Sequence, residues 1–280
     1  MKPAHLLLAL AGIAGAPALP AQSSTTTPPT DAAALARKLQ NPVADLITAP
    51  IQNNWDFGIG PAGATRYTAN IQPIIPISVS EDWNVITRTI LPVIHAESPV
   101  VGGPAKSGLG DTLQSFFLSP QEPLNDWVLG AGPVCLYPTA TDDALGGGKF
   151  GLGPTAVALR QHAGWTYGTL ANHVWSVAGE GGRPDLSTTF VQPFVLYTTR
   201  TLTTFGVNLE SSRDWERDQW NVPVNVVCSQ LLKVGRQPVQ LTLGGRYYAE
   251  RPAGGPDWGL RFMVTFLFPS RGASRQARDR

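Results

Sequence analysis

From Ile51 onward, apolar and polar residues alternate with a period of two. The pattern is clearest between 67 and 79, where Tyr67, Ala69, Ile71, Ile75, Ile77 and Val79 face one way and Arg66, Thr68, Asn70, Gln72 and Ser78 the other. The split recurs over 236–251, with Val239, Leu241, Leu243 and Tyr247 against Gln240, Thr242, Arg246 and Glu250. Over 257–268 it places Trp258, Leu260, Phe262, Val264, Phe266 and Phe268 on one face. Alternation alone says that one face of a strand is apolar, in a soluble sandwich as much as in a membrane barrel. Length separates the two. Runs between turn signals are mostly ten to fifteen residues, against about five or six for strands of soluble proteins, and tilted strands of that length span a bilayer. Twelve strands are predicted, over 51–60, 65–79, 82–96, 109–120, 126–139, 149–162, 164–178, 186–199, 201–213, 220–233, 236–251 and 257–268.

Connection sizes alternate as well. Tight links fall near 80, 122, 163, 200 and 234, and generally longer ones near 62, 97–108, 140–148, 179–185, 214–219 and 252–256. Outer-membrane barrels have that asymmetry, with short periplasmic turns and longer external loops. The expectation is an all-β, transmembrane antiparallel barrel spanning 51–268, located in the outer membrane with both termini periplasmic.

Upstream of the strands the pattern differs. Lys2, the apolar run Leu6 to Ala14 and the small residues through Ala21 read as a signal peptide over 1–21, cleaved after Ala18 or Ala21. Residues 22–30 are a polar linker. Leu35, Leu39, Val43, Leu46 and Ile47 then recur at helical spacing, with Thr30 or Asp31 placed to cap. They predict a short amphipathic helix over 31–48, bent by Pro42, serving as a cap or plug at the periplasmic mouth, or as a gate. Downstream, 269–280 is a basic tail carrying Arg271, Arg275, Arg278 and Arg280.

Composition adds constraints. With 29 Gly, 25 Pro and only 15% charged residues, strands and turns are favoured over long helices. Beyond the signal no run of eighteen apolar residues exists, so only a closed barrel could span lipid, which satisfies no backbone hydrogen bonds. A net charge of +1 gives no reason to expect nucleic acid as a partner. Cys135 and Cys228 fall on the fifth and tenth strands, too far apart around the wall for a disulfide.

Seven of the eight tryptophans, Trp55, Trp83, Trp127, Trp165, Trp215, Trp220 and Trp258, lie at or near predicted strand ends, where interfacial girdles form. An Asp-Trp pair recurs at 82, 126, 214 and 257. Gly146 to Gly151 formally matches a dinucleotide fingerprint but lies between two strands, so it is discarded. The Gly-x-Gly-Pro stretches at 58–61, 130–133 and 151–154, and G-L-G-D at 108–111, are read as places where the wall bends or another segment approaches closely. His95, His162 and His173 stand in no nucleophile motif. Neither they nor the two cysteines form a zinc pattern, so no metal, cofactor or catalytic residue is assigned.

What remains is the polar face of the strands. Asn70, Gln72, Arg88, Gln192, Asn208, Glu210, Asn225, Gln240, Arg246 and Glu250 are expected to project into the lumen. Arg88, Glu210, Arg246 and Glu250 are the candidates for charges that select a solute; the alternative is that opposed Arg and Glu brace the barrel.

Several stretches carry a family resemblance: NPVADLITAPIQNNWDFGIGP (41–61), YTANIQPIIPISVSEDWNVITRTILPVI (67–94), GLGD (108–111), WTYGTLANHVWSVAG (165–179), QPF (192–194) and GGPDWGLRFMVTFLFP (254–269). The chain resembles the Gram-negative outer-membrane transporter proteins grouped with the phenol-degradation-pathway barrel family and sometimes misnamed after neuromedin U. The aromatic-ended last strand resembles the signal read by the barrel-assembly machinery; the tail from Ser270 departs from barrels that stop close to the final Phe. The resemblance implies a bilayer-embedded barrel that moves small, often hydrophobic, molecules, and it brings no binding residue with it. Passage of a small, hydrophobic or aromatic solute is the leading expectation. Its alternatives are a structural or adhesive barrel with a blocked lumen and, less favoured, an outer-membrane lipid hydrolase.

Overall fold

The computed structural model describes residues 29–268. The expected signal peptide, the linker as far as residue 28 and the tail from 269 lie outside the described residues, as do the side chains of Thr30 and Asp31. One helix, α1 (Pro29–Leu39), precedes fifteen strands: β1 (Ile47–Ile59), β2 (Ala64–Ile71), β3 (Ile74–Ser78), β4 (Trp83–Ala96), β5 (Lys106–Leu109), β6 (Thr112–Pro120), β7 (Trp127–Tyr137), β8 (Lys149–His162), β9 (Trp165–Gly179), β10 (Ser187–Thr198), β11 (Thr203–Leu209), β12 (Ser211–Asp214), β13 (Gln219–Val234), β14 (Gln237–Glu250) and β15 (Trp258–Phe268).

All pairings are antiparallel, and β1 closes the ring against β15, with Ile47 opposite Phe268 and Phe57 opposite Trp258. Three positions in the wall are each filled by two short strands in line, β2 with β3, β5 with β6, and β11 with β12. The result is the twelve-stranded closed barrel that the alternation predicts. Each break falls at or beside proline. Pro73 separates β2 from β3, the Gly110 amide between β5 and β6 reaches Pro92 O at 2.9 Å, and the Glu210 amide between β11 and β12 reaches Pro223 O at 3.1 Å. Proline supplies no N–H, so the ladder cannot continue through these points.

The segment before the barrel departs from expectation. The helix ends at Leu39 rather than running on to 48, residues 40–46 fold as turns, and Ile47 and Thr48 already belong to β1. The apolar residues at helical spacing are nevertheless buried. Ala36, Ala44 and Leu46 pack on Leu231 and Leu267 across the end of the barrel that carries the termini. Val43 reaches further in and joins Ile86, Phe117, Val157, Leu159 and Leu170. Gly130 makes room for it, since a Cβ there would stand 3.3 Å from Val43 Cγ1 and 3.3 Å from Phe117 Cβ. Polar ties hold the segment: Gln161 Nε2 donates to Arg37 O at 2.9 Å and Gln40 Nε2 to Thr204 Oγ1 at 3.3 Å.

The opposite end is narrowed by residues 138–148. Asp111 accepts from the amides of Ala140 at 3.2 Å and Gly147 at 2.6 Å. Leu145 is buried, with its carbonyl 3.3 Å from where a Cβ on Gly110 would lie. That is the close approach the G-L-G-D stretch suggested. Arg183 donates to the carbonyls of Asp143, Gly146 and Gly147 and fastens the loop from outside. Nearby, the Lys106 ammonium is hydrogen-bonded to Asp142 and holds its carboxyl below the usual range.

Outward, the wall is apolar. Leu243, Val226, Phe205 and Val207 are exposed at mid-height, a continuous belt too large for an ordinary soluble surface. Aromatic side chains bound it at both ends. Trp83, Trp127, Trp165, Tyr167 and Tyr197 stand at the turn end, with Trp165 and Tyr197 rings 4.9 Å apart. Trp55, Trp175, Trp215, Trp220 and Trp258 stand at the loop end, with Phe57 and Trp258 rings 4.5 Å apart. Both Trp165 and Trp175 lie on β9, ten residues apart; at ~3.3 Å per residue and a tilt of ~40° the rings are about 25 Å apart in height. Cys135 and Cys228 are free thiols on β7 and β13.

The barrel interior as candidate functional site

The inward face has two unlike halves. From β4 through β10 the large buried side chains are apolar, with Ile86, Phe117, Val134, Val157, Leu159 and Leu170 each at 5% exposure or less, interspersed with the buried Asn84, Ser115, Ser119, Lys149, Thr155 and Thr166. From β11 round through β15 to β2 they are polar: Asn225, Thr242, Gln240, Arg261, Thr265, Asn54, Asp56 and Gln72 are all buried. The sequence reading drew the lumen from its polar positions alone, and on the β4 to β10 side large apolar residues look inward as well. The strands of the apolar half carry hydrophobic residues on both faces, which the period of two cannot resolve into inside and outside.

In the polar half the charged groups converge. Arg261 presents Nη1 and Nη2 to the two oxygens of Glu210, both at 2.8 Å, and its Nε to Asn54 Oδ1 at 2.8 Å. Arg246 lies 3.6 Å from Glu210 and 3.5 Å from Asp56, with its guanidinium 5.5 Å from the Tyr248 ring centre. Tyr248 donates to Asp56 Oδ1 at 2.8 Å. On the facing strand Arg88 Nη2 donates to Gln72 Oε1 at 3.1 Å. The strand break at Glu210 is what brings that carboxylate to its arginines, since β11 ends at Leu209 and β12 begins at Ser211.

Of the four charges proposed from the sequence, Arg88, Glu210 and Arg246 meet here. Glu250 does not: it is exposed at the loop end of β14, where a register shift opposite Val222 and Pro223 ends the regular ladder. Asn208 and Asn225 form a pair at 3.0 Å. Asn70, Gln72, Gln192, Asn208 and Gln240 line one cavity of about 330 Å³ with Arg88, Glu210 and Arg261. Leu39 and Gln40 bound it at the turn end. The sequence reading missed Asn54, Asp56 and Arg261, and it put Arg66 on the polar face without naming it among the lumen candidates. Their signal was present, because Asp56 is opposite Arg66 and both share the parity of Asn54 and Asn70, while Arg261 alternates with Leu260 and Phe262.

The histidines lie elsewhere. His95 Nδ1 is 2.6 Å from Ser107 Oγ, and His173 Nδ1 is 2.7 Å from Thr189 Oγ1 while its Nε2 is 3.5 Å from Ser187 Oγ. Thr189 occupies the place where a triad would need a carboxylate or amide to orient the imidazole. Among the described residues there is no group of three or more His, Cys, Asp or Glu side chains that could hold a metal ion.

No protein-family model matches the sequence, and no curated protein sequence does. Solved structures do resemble the fold. An outer membrane channel from Pseudomonas putida F1 is 13% identical over 80% of this chain and 96% of that one, with a TM-score of 0.61. OmpF of Salmonella typhi, solved with daunomycin, is 8% identical over 80% and 96%, with a TM-score of 0.37. OpdK of Pseudomonas aeruginosa is 10% identical over 80% and 98%, with a TM-score of 0.26. The first similarity establishes a shared closed β-barrel fold; the other two are too loose to bear on the architecture.

Proposed function

We propose that this chain is an outer-membrane channel for a small solute with apolar character, inserted with both termini in the periplasm. The observation that carries the reading is a closed barrel whose apolar outer belt, bounded by two aromatic rings about 25 Å apart, encloses a cavity lined by arginine and amide side chains. The apolar half of the lumen favours hydrophobic or aromatic solutes, and the short turns on the side of the termini favour the periplasmic orientation. Phe268, the last residue of β15, supplies the aromatic end through which the barrel-assembly machinery would engage the strand.

The occupied ends favour a second reading. Val43 and the turns at 40–46 close one end and Leu145 narrows the other, as a structural or adhesive barrel with a blocked lumen would require. Planar-bilayer recording decides between them. A channel shows unit conductance in the mature chain, larger when residues 22–48 are deleted. A folded protein silent in both forms overturns the channel and leaves the blocked barrel.

A further inference from the structure

The interior charges do not balance. Arg66, Arg88, Arg246 and Arg261 project inward from β2, β4, β14 and β15, against the two carboxylates Asp56 and Glu210. Both carboxylates are engaged: Glu210 receives the bidentate fork of Arg261, and Asp56 receives the Tyr248 hydroxyl and faces Arg246. Arg88 keeps a single side-chain hydrogen bond among the described residues, the one to Gln72. A guanidinium carries five N–H donors, so most of this fork is left for the cavity it lines. Gln240 lines the same cavity from β14. It is 6% exposed, and its Nε2 has no hydrogen-bond partner.

A buried amide donor without a partner is costly and rare in folded proteins. A guanidinium with donors to spare on the same cavity makes the two a receptor for oxygen lone pairs, and a charged acceptor is the strongest available. Ile90, Phe190, Leu196 and Met263 give the cavity an apolar patch; amides, hydroxyls, Arg261 and the Glu210 carboxylate that Arg261 neutralises make up the rest of its lining. A cavity of about 330 Å³ holds roughly ten heavy atoms at the ~30 Å³ occupied by a water.

We propose that the barrel interior binds a small amphipathic monocarboxylate, its carboxylate held by Arg88 and Gln240 and its hydrocarbon tail lying on Ile90, Phe190 and Leu196. The inference rests on the channel reading, because the solute must reach the lumen. Selectivity follows from the two sides together: a neutral alcohol leaves the donors unmet, an alkylammonium meets a cationic cluster, and acetate has no tail for the apolar side.

The test is calorimetric titration of the detergent-purified mature chain with sodium hexanoate, and with hexanol, hexylammonium and acetate as matched controls. Hexanoate should bind about tenfold or more tightly than each control, the value of one charge-assisted hydrogen bond. Arg88→Gln should weaken hexanoate by about tenfold or more, Arg88→Lys should recover part of the loss, and Gln240→Leu should weaken it less than Arg88→Gln does. Heat-modifiable migration on gels confirms that each variant is a folded barrel; should Arg88→Gln not fold, Gln240→Leu decides. Hexanoate bound no better than hexanol or hexylammonium, or equally well by folded Arg88→Gln, overturns the proposal. Conductance without hexanoate-selective binding defeats this inference and spares the channel; selective binding without conductance in any form does the reverse.

Discussion

At the scale of single residues the barrel's polar half is held by charges in fixed pairs, and their burial sets the stakes. Glu210 and Arg261 are 17% and 5% exposed at the side chain and meet through two bonds at 2.8 Å. Removing one member of a buried pair leaves an uncompensated charge, which costs about 3–5 kcal/mol. Arg261→Met should lower the unfolding free energy from urea titration by that amount, with a correspondingly lower midpoint read by loss of heat-modifiable migration, whereas Glu210→Gln with Arg261→Met together should recover most of it. An unchanged midpoint for Arg261→Met would mean that Arg246, 3.6 Å away, already suffices. Glu210 and Arg246 were legible as inward because they alternate with Val207 and Leu209 and with Leu243 and Tyr247; Arg88, between Thr87 and Thr89, was legible only as a charge inside a long strand. Asp56 and Arg261 obey the same rule, flanked by Trp55 and Phe57 and by Leu260 and Phe262, which face outward. Glu250 fails for a geometric reason, since parity carries no information past the register shift that separates its pairing with Val222 from the regular ladder.

At the scale of elements, strand positions were the most legible part. The expected 149–162 is β8 to the residue, and the other predicted strands begin or end within a few residues of those observed. Alternation did not show that three strands break: Pro73 marks one break in its own strand, but the other two depend on prolines across the sheet, as Pro92 and Pro223 do for Gly110 and Glu210. The helix was overextended for a related reason. Val43 and Leu46 recur at helical spacing, yet they are apolar because they enter the barrel mouth, not because α1 continues. The plug is held by that burial. An aspartate in place of Val43 would carry a carboxylate into the cluster of Phe117 and Leu159 at a cost of several kcal/mol, about 2–7 on transfer scales for polar groups alone. Val43→Asp should therefore expel residues 40–46 and raise conductance toward that of the chain lacking 22–48. Conductance equal to the unsubstituted protein would show that the plug does not control the lumen.

At the scale of the whole molecule, the closed ring was legible from strand number and length, while the division of its interior into an apolar and a polar half was not. Strands such as β6, β8 and β9 place apolar residues on both faces, and only the register reveals which of them look inward. Everything proposed about solutes depends on the outward belt lying in hydrocarbon. Cys228 reports on it directly, because it is exposed at mid-height on β13, opposite Phe205 and Leu243. The decisive measurement is the collision rate of a spin label at Cys228, in Cys135→Ala protein reconstituted into lipid vesicles, with dioxygen and with a water-soluble nickel complex. Dioxygen, which concentrates in the bilayer centre, should dominate strongly. Dominance of the nickel complex would place this face in water, and the barrel would not span a membrane.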